Sequence, residues 1–187
     1  MACRVQMSRP MTKRATSRGF TLVELGVVVA IVGILAVIAV VGYRKIVLSS
    51  KLTEARHIIG GIRIAEEDYK ADTGAYLDLG GVHCPSDGMT EAKFAWDNPS
   101  CNSGLLSQLN VHADGPVRFG YAVWAGNTVT QPGGVSSTLL SVGTWAGKQM
   151  PYYVVHAQAD LNPNIATNTE LATASMNAAI NVINEGD

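Results

Sequence analysis

Charge is absent from two stretches of this sequence. No residue between positions 25 and 42 is charged, and none there is more polar than glycine. No acidic residue occurs in positions 1–19, which hold Arg4, Arg9, Lys13, Arg14 and Arg18. Each absence excludes something. An uncharged run of 18 residues does not suit a solvated helix, and at about 1.5 Å per residue it spans about 27 Å, near the lower limit for crossing a bilayer. A basic tail without acids ahead of such a run is the pattern kept on the cytoplasmic side of a membrane. The tail takes 5 of the 14 basic groups, so residues 20–187 hold 9 basic and 15 acidic ones, a net of −6. A body of that sign argues against binding nucleic acid through a broad basic surface.

Catalytic patterns are scarce as well. There is no G-x-S-x-G elbow. The stretch from Gly143 to Lys148 is one residue short of a phosphate-binding loop, and Gln149 stands where Ser or Thr is needed. His83, Cys84, Cys101 and His112 lack the short paired spacings of a zinc site. We expect no catalytic residues, no cofactor and no enzyme. Of the three cysteines, Cys3 lies in the basic tail, and Cys84 and Cys101 lie 17 positions apart in the body. In an exported body those two form a disulfide, worth roughly 3 kcal/mol for a loop of that size; the alternative is two free buried thiols.

What is present is a carboxylate in an awkward place. Glu24 stands at the mouth of the apolar run, in "RGFTLVEL". A secretory signal has a shorter apolar core followed by a small-residue cleavage site. A simple signal anchor fits the length but leaves Glu24 as an uncompensated charge at membrane depth. The string "SRGFTLVELGVVVAIVGILAVIAVVGYRK" resembles the N-terminus of type IV prepilins and pseudopilins. The resemblance implies that a prepilin peptidase cuts between Gly19 and Phe20 and that Phe20 is then N-methylated. Glu24 becomes the fifth residue of the mature chain, where the family carries its Glu. In a filament, Glu24 would meet the new α-ammonium of Phe20 on a neighbouring subunit, an assembly contact that rewards correct stagger. Met7 and Met11 are alternative starts; from Met11 the leader is "MTKRATSRG".

The resemblance further implies an α+β fold: a long N-terminal helix, membrane-embedded in its first half, packed on a small antiparallel sheet in a pilin-like ladle. The expected divisions are a leader at 1–19, a membrane or filament-core helix at 20–42, its amphipathic continuation at 43–73, an irregular connection at 74–116 and a sheet region at 117–187. Implied partners are the peptidase, other pilin subunits, an inner-membrane platform protein and an assembly ATPase, with no nucleic acid. The precursor would sit in the inner membrane, N-terminus cytoplasmic and C-terminus periplasmic, before entering a pilus or periplasmic filament. Major pilins of the family usually carry a proline near the end of the apolar segment, where this chain has Val41 and Gly42. Major or minor subunit therefore stays open, as does a pseudopilin of type II secretion. A signal-anchored periplasmic binding or enzymatic domain is the reading from a different class.

Beyond the apolar run, Leu48, Leu52, Ala55, Ile59, Ile62 and Tyr69 follow helical spacing, and Glu66, Glu67 and Asp68 are expected on the solvated side. The segment "EDYKADTGAYL" also resembles the end of this helix in pilins and pseudopilins, with Asp72-Thr73-Gly74 as the stop. Short helical turns are predicted at 92–96 and 105–109. Strands are predicted at 117–125, 135–143 and 152–159, with Val117, Phe119, Tyr121 and Val123 on one face of the first and Tyr153, Val155, Ala157 and Ala159 on one face of the last. "ELATASMNAAINVI" is ambiguous between an Ala-rich helix and a last strand. Asp160, Asn162 and Asn164 begin like a calcium loop, but Ile165 stands where Gly belongs, so a polar Asx turn is favoured over a calcium site.

Overall fold

The computed structural model describes residues 19–85, 92–96, 104–140, 145–161 and 167–184. By its contacts the chain divides into two compact units, Met1–Tyr43 and Arg44–Asp187. One helix, α1 (Leu22–Thr73), belongs to both. In the first unit it is apolar all round. Every Leu, Ile and Val from Leu22 to Val41 is at least half exposed. This is a helix long and apolar enough to cross a membrane.

In the second unit α1 has sides. Leu52, Ala55, Ile58, Ile59 and Ile62 are buried, and Leu48 and Tyr69 are packed partly against the same core. The predicted stripe is therefore the packed one. Glu66 corrects the expectation of a solvated acidic run: Glu67 and Asp68 are exposed, but Glu66 is fully buried. The reason is spacing, since Glu66 follows Ile59 by seven and Ile62 by four and so sits on the same stripe. The helix ends at Thr73, whose hydroxyl donates to the Tyr69 carbonyl, and Gly74 follows at φ +82°.

The sheet has four antiparallel strands in chain order: β1 (Gly120–Thr128), β2 (Gln149–Ala159), β3 (Thr169–Ala174) and β4 (Asn177–Ile183). Its α1 side carries Tyr121, Val123, Tyr153, Val155, Ala157, Ala159 and Leu171, all buried with the helix. The predicted inward faces of the first and last strands are thus observed, with Val117 and Phe119 in the same core just ahead of β1. Pro151 is accommodated in β2 beside the irregularity between Gly126 and Thr128, beyond the reach of β3.

Two local expectations are corrected and one ambiguity is resolved. Residues 135–140 form turns and no strand; Val135, Leu139 and Leu140 are buried against Tyr152, Val154, Ala172 and Ala174. The apolar residues that suggested a strand instead cover the second face of the sheet. Residues 92–96 form no helical turn, because Phe94 exchanges backbone hydrogen bonds with Val117. The ambiguous tail is two strands, β3 and β4, turning at Ser175 and Met176. Pairing with β2 outweighs the helix preference of its alanines. The predicted turn at 105–109 is a short helix, α2 (Gly104–Gln108).

Candidate functional site

Gly19 and Phe20 precede α1, both exposed, with Phe20 86% accessible. Thr21 caps the helix. Glu24 Oε2 accepts hydrogen bonds from the Thr21 backbone N–H and from its hydroxyl, both at 2.8 Å. The Glu24 N–H donates back to Thr21 Oγ1 at 3.2 Å, and the Leu25 N–H donates to the Thr21 carbonyl as the first turn of the helix. This reciprocal pair is a capping box, T-x-x-E, and it satisfies N–H groups that a helix start otherwise leaves bare. The signal for the box is local: Thr21 and Glu24 in "TLVE" have the T-x-x-E spacing. Glu24 therefore has partners within its own chain.

The remaining candidates lie in the second unit. Cys84 is buried and disulfide-bonded, and its backbone exchanges two hydrogen bonds with Tyr121. Cys101 lies outside the described residues, as do Asn162 and Asn164; Asp160 follows β2 and is half-buried. Among the described residues no three His, Cys, Asp or Glu side chains are placed to hold a metal ion. His83 and His112 are not together. His83 contacts His156, whereas His112 is exposed and lines an open groove of about 550 Å³ beside Asp68, Tyr69 and Asp72 of α1. His57 is exposed on α1, and His156 is buried in β2.

Two ionisable groups, Glu66 on α1 and Tyr121 on β1, are buried in the core between helix and sheet. Glu66 Oε2 accepts from the Leu77 N–H at 3.0 Å, while Oε1 has no partner. Burial pushes its pKa up to about 7, opposed by the Leu77 hydrogen bond and assisted by Glu67 and Asp78. Tyr121 is buried with its hydroxyl unpartnered, and burial holds its pKa well above the ordinary value.

Residues 14–40 match the family described as the prokaryotic N-terminal methylation motif. The fimbrial protein EcpC of Eikenella corrodens is 41% identical over 63 residues, 34% of this chain and 41% of its own length. The type IV major pilin protein PilA of Myxococcus xanthus (strain DK1622) is 40% identical over 63 residues, 34% of this chain and 29% of its own. A probable minor fimbrial protein of Dichelobacter nodosus is 39% identical over 98 residues, 49% of this chain and 62% of its own. The chain thus spans between 29% and 62% of the length of these curated relatives. No solved structure matches it. Over its N-terminal third to half the chain is thus similar to type IV pilins and fimbrial proteins, and its long helix packed on a small antiparallel sheet is consistent with the pilin fold.

Proposed function

We propose that the chain is a prepilin-type structural subunit that a prepilin peptidase cuts between Gly19 and Phe20 and methylates on Phe20. One observation carries the reading. An exposed Gly-Phe step stands immediately before a capped helix whose apolar surface is uncovered through residues 22–41. Such a surface is stable in lipid or against other helices and not in water. The precursor holds it in the inner membrane, with the basic tail cytoplasmic and the body periplasmic. Assembly transfers it to neighbouring subunits, helped by a platform protein and an ATPase. Gly26, Ala30, Gly33, Ala36, Ala39 and Gly42 let helices approach closely where lipid supplies no hydrophobic drive.

Cutting creates an α-ammonium on Phe20. In the filament it pairs with Glu24 of an adjacent subunit, which rewards one axial stagger over others. The relatives are fimbrial and pilus proteins, and this favours a surface pilus over a type II secretion pseudopilus. Cys84 pairs with Cys101, stapling the connection between α1 and β1. Co-expression with a prepilin peptidase followed by N-terminal sequencing tests the reading. Methyl-Phe20 is the expected first residue; an uncut chain, or a cut after the apolar run, overturns it.

A further inference from the structure

Charge is divided along the part of α1 that lies in the second unit. Residues 44–63 hold Arg44, Lys45, Lys51, Arg56 and Arg63 against Glu54, a net of +4. Residues 64–73 hold Glu66, Glu67, Asp68 and Asp72 against Lys70, a net of −3. The two ends of this stretch of helix therefore carry opposite sign.

The acidic end borders the open groove of about 550 Å³. Asp68 and Asp72, about one turn apart and both exposed, stand on its helix wall, and residues 108–112 form the facing wall. Ile64, Tyr69, Leu109 and Val111 give it an apolar lining. Ile64 is 66% exposed, an apolar surface that the chain itself does not cover. Among the described residues neither aspartate forms an ion pair. Lys70, the nearest cation in sequence, is engaged elsewhere: its Nζ donates to the Tyr76 hydroxyl at 3.0 Å and lies 4.4 Å from the centre of that ring. Asp72 also sits in the last turn of α1, where the carbonyl end of a helix favours a cation. The subunit alone leaves both carboxylates without the counter-charge that this position calls for.

The basic end has the matching chemistry. Arg44, Lys45 and Ile46 are exposed, and among the described residues neither Arg44 nor Lys45 forms an ion pair. Arginine and lysine lay their methylene stems on apolar surface and carry the charge beyond it, which suits an apolar groove with carboxylates on one wall. The arginine fork also meets a carboxylate with two hydrogen bonds. One chain cannot make this fit with itself. Arg44 and Asp68 are 24 residues apart on one continuous helix, about 36 Å along its axis.

We propose that the groove receives Arg44 and Lys45 of a second copy of this chain, displaced by about 35–42 Å along α1. The two halves of the contact lie on different surfaces, so it can repeat head to tail without closing, as a filament requires. The contact rests on the proposed filament. It involves a different neighbour from the one that meets Glu24, because pairing Phe20 with Glu24 needs a stagger of only about 6 Å.

Carbodiimide cross-linking of sheared filaments of the full chain, read by mass spectrometry, tests this. The reagent joins an amine to a carboxylate with no spacer. Lys45 and Asp68 of one chain lie about 35 Å apart, so a link from Lys45 to Asp68 or Asp72 joins two copies. That link is the expected product. Links from both aspartates that go only to other lysines or to a different protein, or no link at either, overturn the contact. Arg44→Glu together with Lys45→Glu sets like charges in the groove and should lower filament yield about tenfold or more, as should Asp68→Lys together with Asp72→Lys. All four changes together should restore the yield. Each variant should be cut and methylated on Phe20 as the parent is. Normal yield from either reversed pair, or no recovery in the combined variant, overturns the contact and leaves the proposed function standing. If a reversed pair does not fold, the cross-link in the parent chain decides. A parent chain that is neither cut nor built into filaments overturns the proposed function, and the contact with it.

Discussion

Glu24 and Glu66 are both carboxylates of α1, and their surroundings give them opposite tasks. Glu24 closes the capping box with Thr21, and its charge is the proposed partner of the Phe20 ammonium. Length and charge are therefore separable. Glu24→Gln retains an acceptor for Thr21 and should be cut and methylated normally, yet enter filaments far less; Glu24→Ala should lose the cap as well. Sheared-filament yield against precursor processing measures both, and a Gln variant that assembles at the normal level removes the charge pairing. Glu66 acts on stability. Its folded pKa, about 7, lies above the ordinary 4.5, so its contribution is fully present below pH 4.5 and is lost as pH rises through 7. After discounting for residual solvent screening, the loss is about 2 kcal/mol. The melting temperature should fall from pH 5 to pH 8, and Glu66→Gln should flatten that slope and be the more stable protein at pH 8. Sequence spacing already placed Glu66 on the buried stripe. Its acidic neighbours Glu67 and Asp68 are exposed, so a run of like charges does not share one environment here.

Elements with a clear period were legible; elements decided by distant partners were not. The stripe from Leu52 to Ile62 and the alternations in β1 and β2 follow from burial of one side, so local sequence suffices. Residues 135–140 and the β3–β4 hairpin depend on what lies opposite them. Leu139 and Leu140 are apolar because they cover Val154 and Ala172, and "ELATAS" is extended because β2 offers it an edge. Gly60 and Gly61 lie within α1 and do not interrupt it. A Cβ at either would meet no atom within 4 Å. Gly60→Ala and Gly61→Ala should therefore each stabilise by about 1 kcal/mol through helix propensity alone. Thermal melts of the full chain in detergent check this, and a destabilised variant would show that the glycines serve something other than the helix.

The whole molecule joins a helix without cover to a body with two buried layers on its sheet. Composition announced the first unit, since eighteen uncharged residues permit few environments. The N-terminal motif, Gly19, Phe20 and Glu24, was legible because it is local and contiguous. The line from His83 through His156 to Glu170 was not, because its members are 73 and 14 positions apart and meet only through the sheet. Among the described residues, the connection between α1 and β1 holds the short α2 and two isolated bridges, so the proposed Cys84–Cys101 staple should matter. Cys101→Ser is expected to lower stability by roughly 3 kcal/mol, and denaturation with and without reductant should reproduce that difference in the parent chain.

The spatial order of the sheet is the order of the chain. A ribosome delivers α1 first, then β1, and each later strand pairs with the one made just before it. Each strand's partner is already made when it emerges, and the longest connection to close between paired strands is 129–148. The body can build itself one hairpin at a time behind a helix already in place, and the exposed edge at any moment is the one the next strand will fill.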